Sequence, residues 1–112
     1  MRYTERMDEL TRDHGPQPLD GLLDRWNITN HELVEASEEQ LNHKQVQRAK
    51  SGRQLTLKMM MKVARSLNLA IWSKLDAPKK EKFVQYLHKD IFAYSKGFDP
   101  EKQDPNQEIY ES

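Results

Sequence analysis

Apolar residues recur at helical spacing through the middle of the chain. Leu19, Leu22, Leu23 and Trp26 follow i, i+3, i+4, i+7 behind Pro18, a residue suited to a first helical turn, so a helix is predicted to Trp26. Asn27 to Thr29 breaks it. Thr29 or Asn30 can cap a second short helix carrying Leu33, Val34 and Ala36, with Glu32 in the first turn where the helix dipole favours an acid. Ser37 to Gln40 reads as a polar, acidic connection. Asn42 then caps a third helix, HKQVQRAKS, which places Val46 and Ala49 on one face and has Gly52 as its stop.

The next stretch fits two templates. Leu55, Leu57, Met59, Met61 and Val63 alternate as in a strand, whereas Leu57, Met60, Met61, Ala64 and Leu67 form a helical stripe. Helix is preferred, because Thr56 is a good cap and Met, Lys, Ala, Arg and Leu are strong helix formers. Asn68 can end it. Ala70 to Leu75 reads as a short helical turn that buries Trp72, and Pro78 opens a last long helix to about Lys96, closed by Gly97. The apolar set of that helix, Phe83, Val84, Leu87, Ile91, Phe92 and Tyr94, is wider than one stripe. Residues 1–17 read as a weakly ordered arm with Tyr3, Met7 and Leu10 at helical spacing, 18–97 as the helical domain, and the acid-rich 98–112 as a tail. The expected fold is all-α, a compact bundle of about five helices with flexible N- and C-terminal tails.

Composition narrows the chemistry. With no cysteine, disulfides, thiolate nucleophiles and Cys-ligated zinc are excluded. His14, His31, His43 and His88 show no HxxxH or HExxH spacing, so no metal and no cofactor are expected. No Gly-rich phosphate loop or nucleophile elbow is visible, and the carboxylates lie in exposed acidic stretches, so the chain does not read as an enzyme. No apolar run approaches the roughly 20 residues of a membrane span, and the N-terminus lacks the apolar region of a signal peptide. A cytoplasmic protein with no membrane partner is expected.

Charge is balanced overall but segregated. The 112 residues carry 18 basic and 18 acidic side chains. Residues 1–41 hold ten acids and four bases, residues 76–112 eight acids and six bases, and residues 42–75 eight bases with no acid. Affinity for a phosphate backbone depends on such local cations and not on whole-protein charge. Inside the block, the third helix turns His43, Lys44, Gln47, Arg48 and Ser51 outward, with Gln45 at the edge. Glutamine can bond adenine bidentately, and arginine or lysine guanine. Lys58, Lys62 and Arg65 stand at i, i+4 and i+7 on the next helix, a spacing that suits tracking a phosphate backbone. Two short helices in succession, the second with this polar and basic face, make a helix-turn-helix candidate.

From about Leu19 to Leu69 the chain resembles the DNA-binding domain of the lambda repressor and Cro class. A polar cap (Asn42), an aliphatic residue four positions on (Val46), a closing Gly52, a capped helix from Thr56 and the run Val63-Ala64-Arg65-Ser66-Leu67 carry the resemblance. The connection Ser37-Glu38-Glu39-Gln40 departs from it, being longer, acidic and without glycine, and Glu38 and Glu39 must face away from phosphates. The resemblance implies major-groove binding by the third helix and, commonly, a dimer on a repeated half-site.

The expected function is therefore a small transcriptional regulator that binds double-stranded DNA. Asn42, His43, Lys44, Gln45, Gln47 and Arg48 are the base-edge candidates, and Asn30, His31, Lys50, Arg53, Lys58, Lys62 and Arg65 the phosphate candidates. A homodimer is a further expectation, through Tyr86, Phe92 and Tyr94 of the last helix, while Phe83, Leu87 and Ile91 cap the bundle. The alternative reading is a non-enzymatic protein-interaction module, antitoxin-like or an adaptor, with a protein partner.

Overall fold

The computed structural model describes residues 13–111. The expected helical arm at Tyr3, Met7 and Leu10 lies outside them. Seven helices follow in order: α1 (Pro18–Arg25), α2 (Asn30–Ala36), α3 (His43–Ser51), α4 (Leu57–Trp72), α5 (Ala77–Lys82), α6 (His88–Ile91) and α7 (Gln107–Glu111).

The first four begin and end where local chemistry requires. Thr29, Asn42 and Thr56 each accept a hydrogen bond from the third backbone N–H of the helix they precede, at 3.1, 2.9 and 3.1 Å. Glu32 and Gln45 reach back to the cap N–H at 2.9 and 3.1 Å and complete capping boxes. Gly52 closes α3 at φ +87, and a Cβ there would stand 2.0 Å from the Gly15 carbonyl oxygen. Only glycine meets both conditions. Leu19, Leu33, Val46, Val63 and Leu67, all fully buried, come from α1, α2, α3 and α4 and form part of the core where these helices pack together.

The connection from α2 to α3 is ordered by its own polar groups. Ser37 Oγ accepts from the N–H of Glu39 and of Leu41 at 3.1 and 3.2 Å, and Leu41 is buried. Gln40 supplies the left-handed residue, at φ +61, that a glycine turn would otherwise provide. The extra length thus carries Leu41 down into the core.

The second half departs from expectation. Asn68 does not end α4, which continues to Trp72, and Asn68 is buried within it. Trp72 is 43% exposed instead of buried, and Leu57, assigned to the apolar stripe, is 55% exposed. The expected long helix 78–96 is replaced by α5, an extended segment 83–87, and α6. The cause lies in two asparagines. Asn106 accepts from the Val84 N–H at 2.8 Å and donates to its carbonyl at 2.7 Å, and Asn68 does the same for Tyr86 at 2.8 and 2.9 Å. These bonds satisfy backbone groups that a helix would have paired internally. An apolar set wider than one helical stripe is what such a segment needs.

Nor is 98–112 a flexible tail over its described part. Asn106 and Ile109 are buried, Tyr110 stands edge-on to Trp26 at 5.3 Å, and Asp104 accepts from the Tyr86 hydroxyl at 2.7 Å. Tyr86 in turn accepts from Trp26 Nε1–H at 3.2 Å, so a buried polar chain ties α1 to the C-terminal segment. The surface expected for self-association is mostly absent, because Tyr86 and Phe92 are 3% and 0% exposed. Leu87, expected to cap the bundle, is instead 48% exposed. No helix among the described residues is long and apolar enough to cross a membrane.

Candidate nucleic-acid interface

α3 buries one face and presents the other. Val46 and Ala49 are at 0% and 1% exposure, while His43, Lys44, Gln47, Arg48 and Ser51 are exposed. Of the six base-edge candidates, two are already engaged. Asn42 and Gln45 bond each other's backbone in the capping box, which leaves His43, Lys44, Gln47 and Arg48 as the accessible set. The side chains of Lys44, Gln47 and Arg48 have no hydrogen-bond partner among the described residues.

The start of α2 meets α3 through two of the phosphate candidates. Asn30 Oδ1 accepts from Lys50 Nζ at 3.0 Å, which fixes the ammonium beside the first turn of α2. His31 and His43 stack with ring centroids 6.1 Å apart and planes within 15°, so the first residues of α2 and α3 lie side by side. His31 also stands 3.7 Å from Glu35, one turn along its own helix.

The remaining candidates divide. Arg53 and Lys58 are exposed and Lys62 is half-buried. Arg65 is held by Glu39, whose carboxylate accepts from Nε and Nη2 at 2.6 Å each. This bidentate pair keeps the Glu39 carboxyl below its ordinary range and raises the Arg65 guanidinium. Glu39 thus lies against α4, and Arg65 is not a free cation.

Elsewhere in the block, Lys74 pairs with Glu32 at 3.1 Å. Six of the eight bases of residues 42–75 therefore have no acidic partner within 4.0 Å among the described residues: Lys44, Arg48, Lys50, Arg53, Lys58 and Lys62. All six fall on α3, the turn after it and the first half of α4.

Sequence reasoning missed the role of Glu39 as the ligand of Arg65. An acid 26 positions away gives no periodic signal. It also missed how α3 is closed from the N-terminal side. The His14 N–H donates to the Gly52 carbonyl at 2.8 Å and the His14 ring stacks on Tyr94 at 4.2 Å, which fastens the chain before α1 to the end of α3. No family model matches the chain, and neither does any curated protein or solved structure, so the finding is an all-helical compact domain that exposes a cationic helix.

Proposed function

We propose that the chain is a DNA-binding protein of helix-turn-helix type, with α2 and α3 as the two helices and α3 entering the major groove. The observation that carries this reading is the unpaired cationic set on α3, the following turn and the start of α4. A protein with a solvated basic face usually tempers it with interspersed acids. Here residues 42–75 hold none. His43, Lys44, Gln47 and Arg48 then address base edges, and Lys50, Arg53, Lys58 and Lys62 the phosphates, with Asn30 and His31 at the start of α2 beside them. Four cationic phosphate contacts would set the slope of log K against log salt at about −4.

The test is a fluorescence-anisotropy titration against random duplex DNA at two salt concentrations, with sequencing of the bound fraction. The expected result is a steep salt dependence and an enriched motif. In that assay Arg48→Ala or Gln47→Ala should relax one base position by about 1–3 kcal/mol, whereas Lys62→Ala should weaken all sequences alike and flatten the slope by about 1. Uniform losses from both classes would remove α3 from the groove. Absence of binding at low salt would return the chain to the reading of a protein-interaction module.

A further inference from the structure

The extended segment 83–87 has one closed edge and one open edge. Asn106 and Asn68 pair with the backbone of Val84 and Tyr86, and alternate residues of an extended strand direct their N–H and C=O to opposite sides. Gln85 therefore points its backbone away from both asparagines. Its N–H and C=O have no hydrogen-bond partner among the described residues. Phe83 and Gln85 line a groove of about 410 Å³ together with Trp72 and Glu38.

Two further properties gather here. Trp72, Val84 and Leu87, three of the five exposed large apolar side chains, are 43%, 47% and 48% exposed and lie in the segment or the groove. The groove also carries both signs of charge. Glu38 lines it from the α2–α3 connection beside the Glu39–Arg65 pair, and Lys80 of α5 places Nζ 5.5 Å from the Trp72 ring centroid, with Lys82 one residue before Phe83. An unpaired strand edge is a template for another strand. A strand edge that has Glu38 and the lysines of α5 near it allows a twofold copy to set opposite charges against each other.

We propose that this edge pairs with the same edge of a second copy of the chain. Segments 83–87 of the two copies run antiparallel about a twofold axis at Gln85, and the two Gln85 residues exchange a pair of N–H to O=C bonds. Phe83 of one copy lies across from Leu87 of the partner subunit, Trp72 and Val84 lose exposed apolar surface, and Glu38 approaches the lysines of the other α5. The Leu87 N–H is already donated to Asp90 at 2.7 Å and the Phe83 N–H to the Lys80 carbonyl at 3.4 Å, so the pairing rests on Gln85 and the apolar contacts around it. The inference needs no DNA, so it and the DNA-binding reading can fail separately.

The experiment is sedimentation equilibrium of the full chain without DNA, from low micromolar to about 0.5 millimolar. A reversible monomer–dimer equilibrium is expected. Gln85→Pro removes the free N–H while suiting an extended edge position, and should weaken dimerisation at least about tenfold, whereas Gln85→Ala keeps the N–H and should leave it unchanged. A strict monomer throughout, or a Gln85→Pro dimer as tight as the wild type, would overturn the proposal, and a monomer would leave the edge to a foreign extended peptide. If Gln85→Pro loses its cooperative melting transition, amide exchange of wild-type Gln85 decides. Protection that rises with protein concentration supports the pairing, and exchange independent of concentration overturns it.

Discussion

Residues 18–72 and residues 77–111 are held together by opposite uses of polar side chains. In the first region the fully buried side chains are mostly aliphatic, and the capping side chains Thr29, Asn42 and Thr56 sit at the surface, with Ser66 and Asn68 as buried polar exceptions on α4. In the second region the three helices have six, four and five residues, and in the segment between two of them Val84, Gln85 and Tyr86 have no backbone partner among the described residues. Buried Asn68, Asn106 and Tyr86, with Asp104, replace the missing backbone bonds. The lesson is one of obligation. A backbone that leaves regular structure inside a protein needs a partner for each N–H and C=O, and here single side chains are that partner.

The strongest way to break this contrast is at Asn68. Asn68→Leu keeps the branched shape and the α4 helix but leaves the Tyr86 N–H and C=O without partners in a buried site. Each orphaned group costs about 1–3 kcal/mol, so the loss should be roughly 3 kcal/mol in urea unfolding. Its neighbour Leu67, fully buried, provides the comparison, since Leu67→Ala should cost about 2–5 kcal/mol by leaving a cavity. Amide exchange separates the two. The Asn68 variant should open residues 83–111 while α1 to α3 remain protected, and the Leu67 variant should lower protection throughout. Equal loss across the chain from both would show that the two regions form one cooperative unit.

A smaller effect is expected at the Tyr86 hydroxyl. It links Trp26 Nε1–H to Asp104, and Tyr86→Phe leaves the indole donor unpaired for about 1–2 kcal/mol. Burial, reinforced by Asp104, pushes the Tyr86 phenol well above its ordinary value of 10.0. The folded state therefore holds the proton more firmly than the unfolded chain. Its stabilising contribution is present below pH 10 and declines as pH rises above that value. Unfolding followed from pH 8 to 11 should show a steeper alkaline loss in the wild type than in Tyr86→Phe.

The same contrast explains what was legible in the sequence. α1 to α4 announce themselves through apolar periodicity and through Thr29, Asn42, Gly52 and Thr56, because caps and stripes are local rules. The outward polar face of α3 follows once Val46 and Ala49 are placed inside. Asn68 reads as a helix stop because asparagine favours caps, and nothing nearby records that Tyr86 will need it 18 residues later. Asn106 is hidden in a segment whose composition is that of a solvated tail. Trp72 is misplaced by the rule that large aromatics go inside, which fails where a groove is left open. Arg65 reads as a free cation on its helix, and the acid that takes it lies in a different element.

That last pair gives the smallest effect and the sharpest statement about the first region, where ionic contacts lie at the surface. Thr29 and Lys74 hold the Glu32 carboxyl below its ordinary value of 4.5, and Arg65 does so for Glu39. Both contributions to stability are present above pH 4.5 and are lost as pH falls through the lowered folded values. Being exposed, they are also screened by salt. Glu39→Gln should therefore change the melting temperature at pH 7 little and make it less sensitive to acid. Its larger consequence is electrostatic, because it releases Arg65 beside Lys58 and Lys62 on α4. If the phosphate track runs along that stripe, Glu39→Gln should steepen the salt slope of DNA binding by about one unit. An unchanged slope would end the track at Lys62 and make Arg65 a brace that holds the acidic connection, and with it the start of α3, against α4.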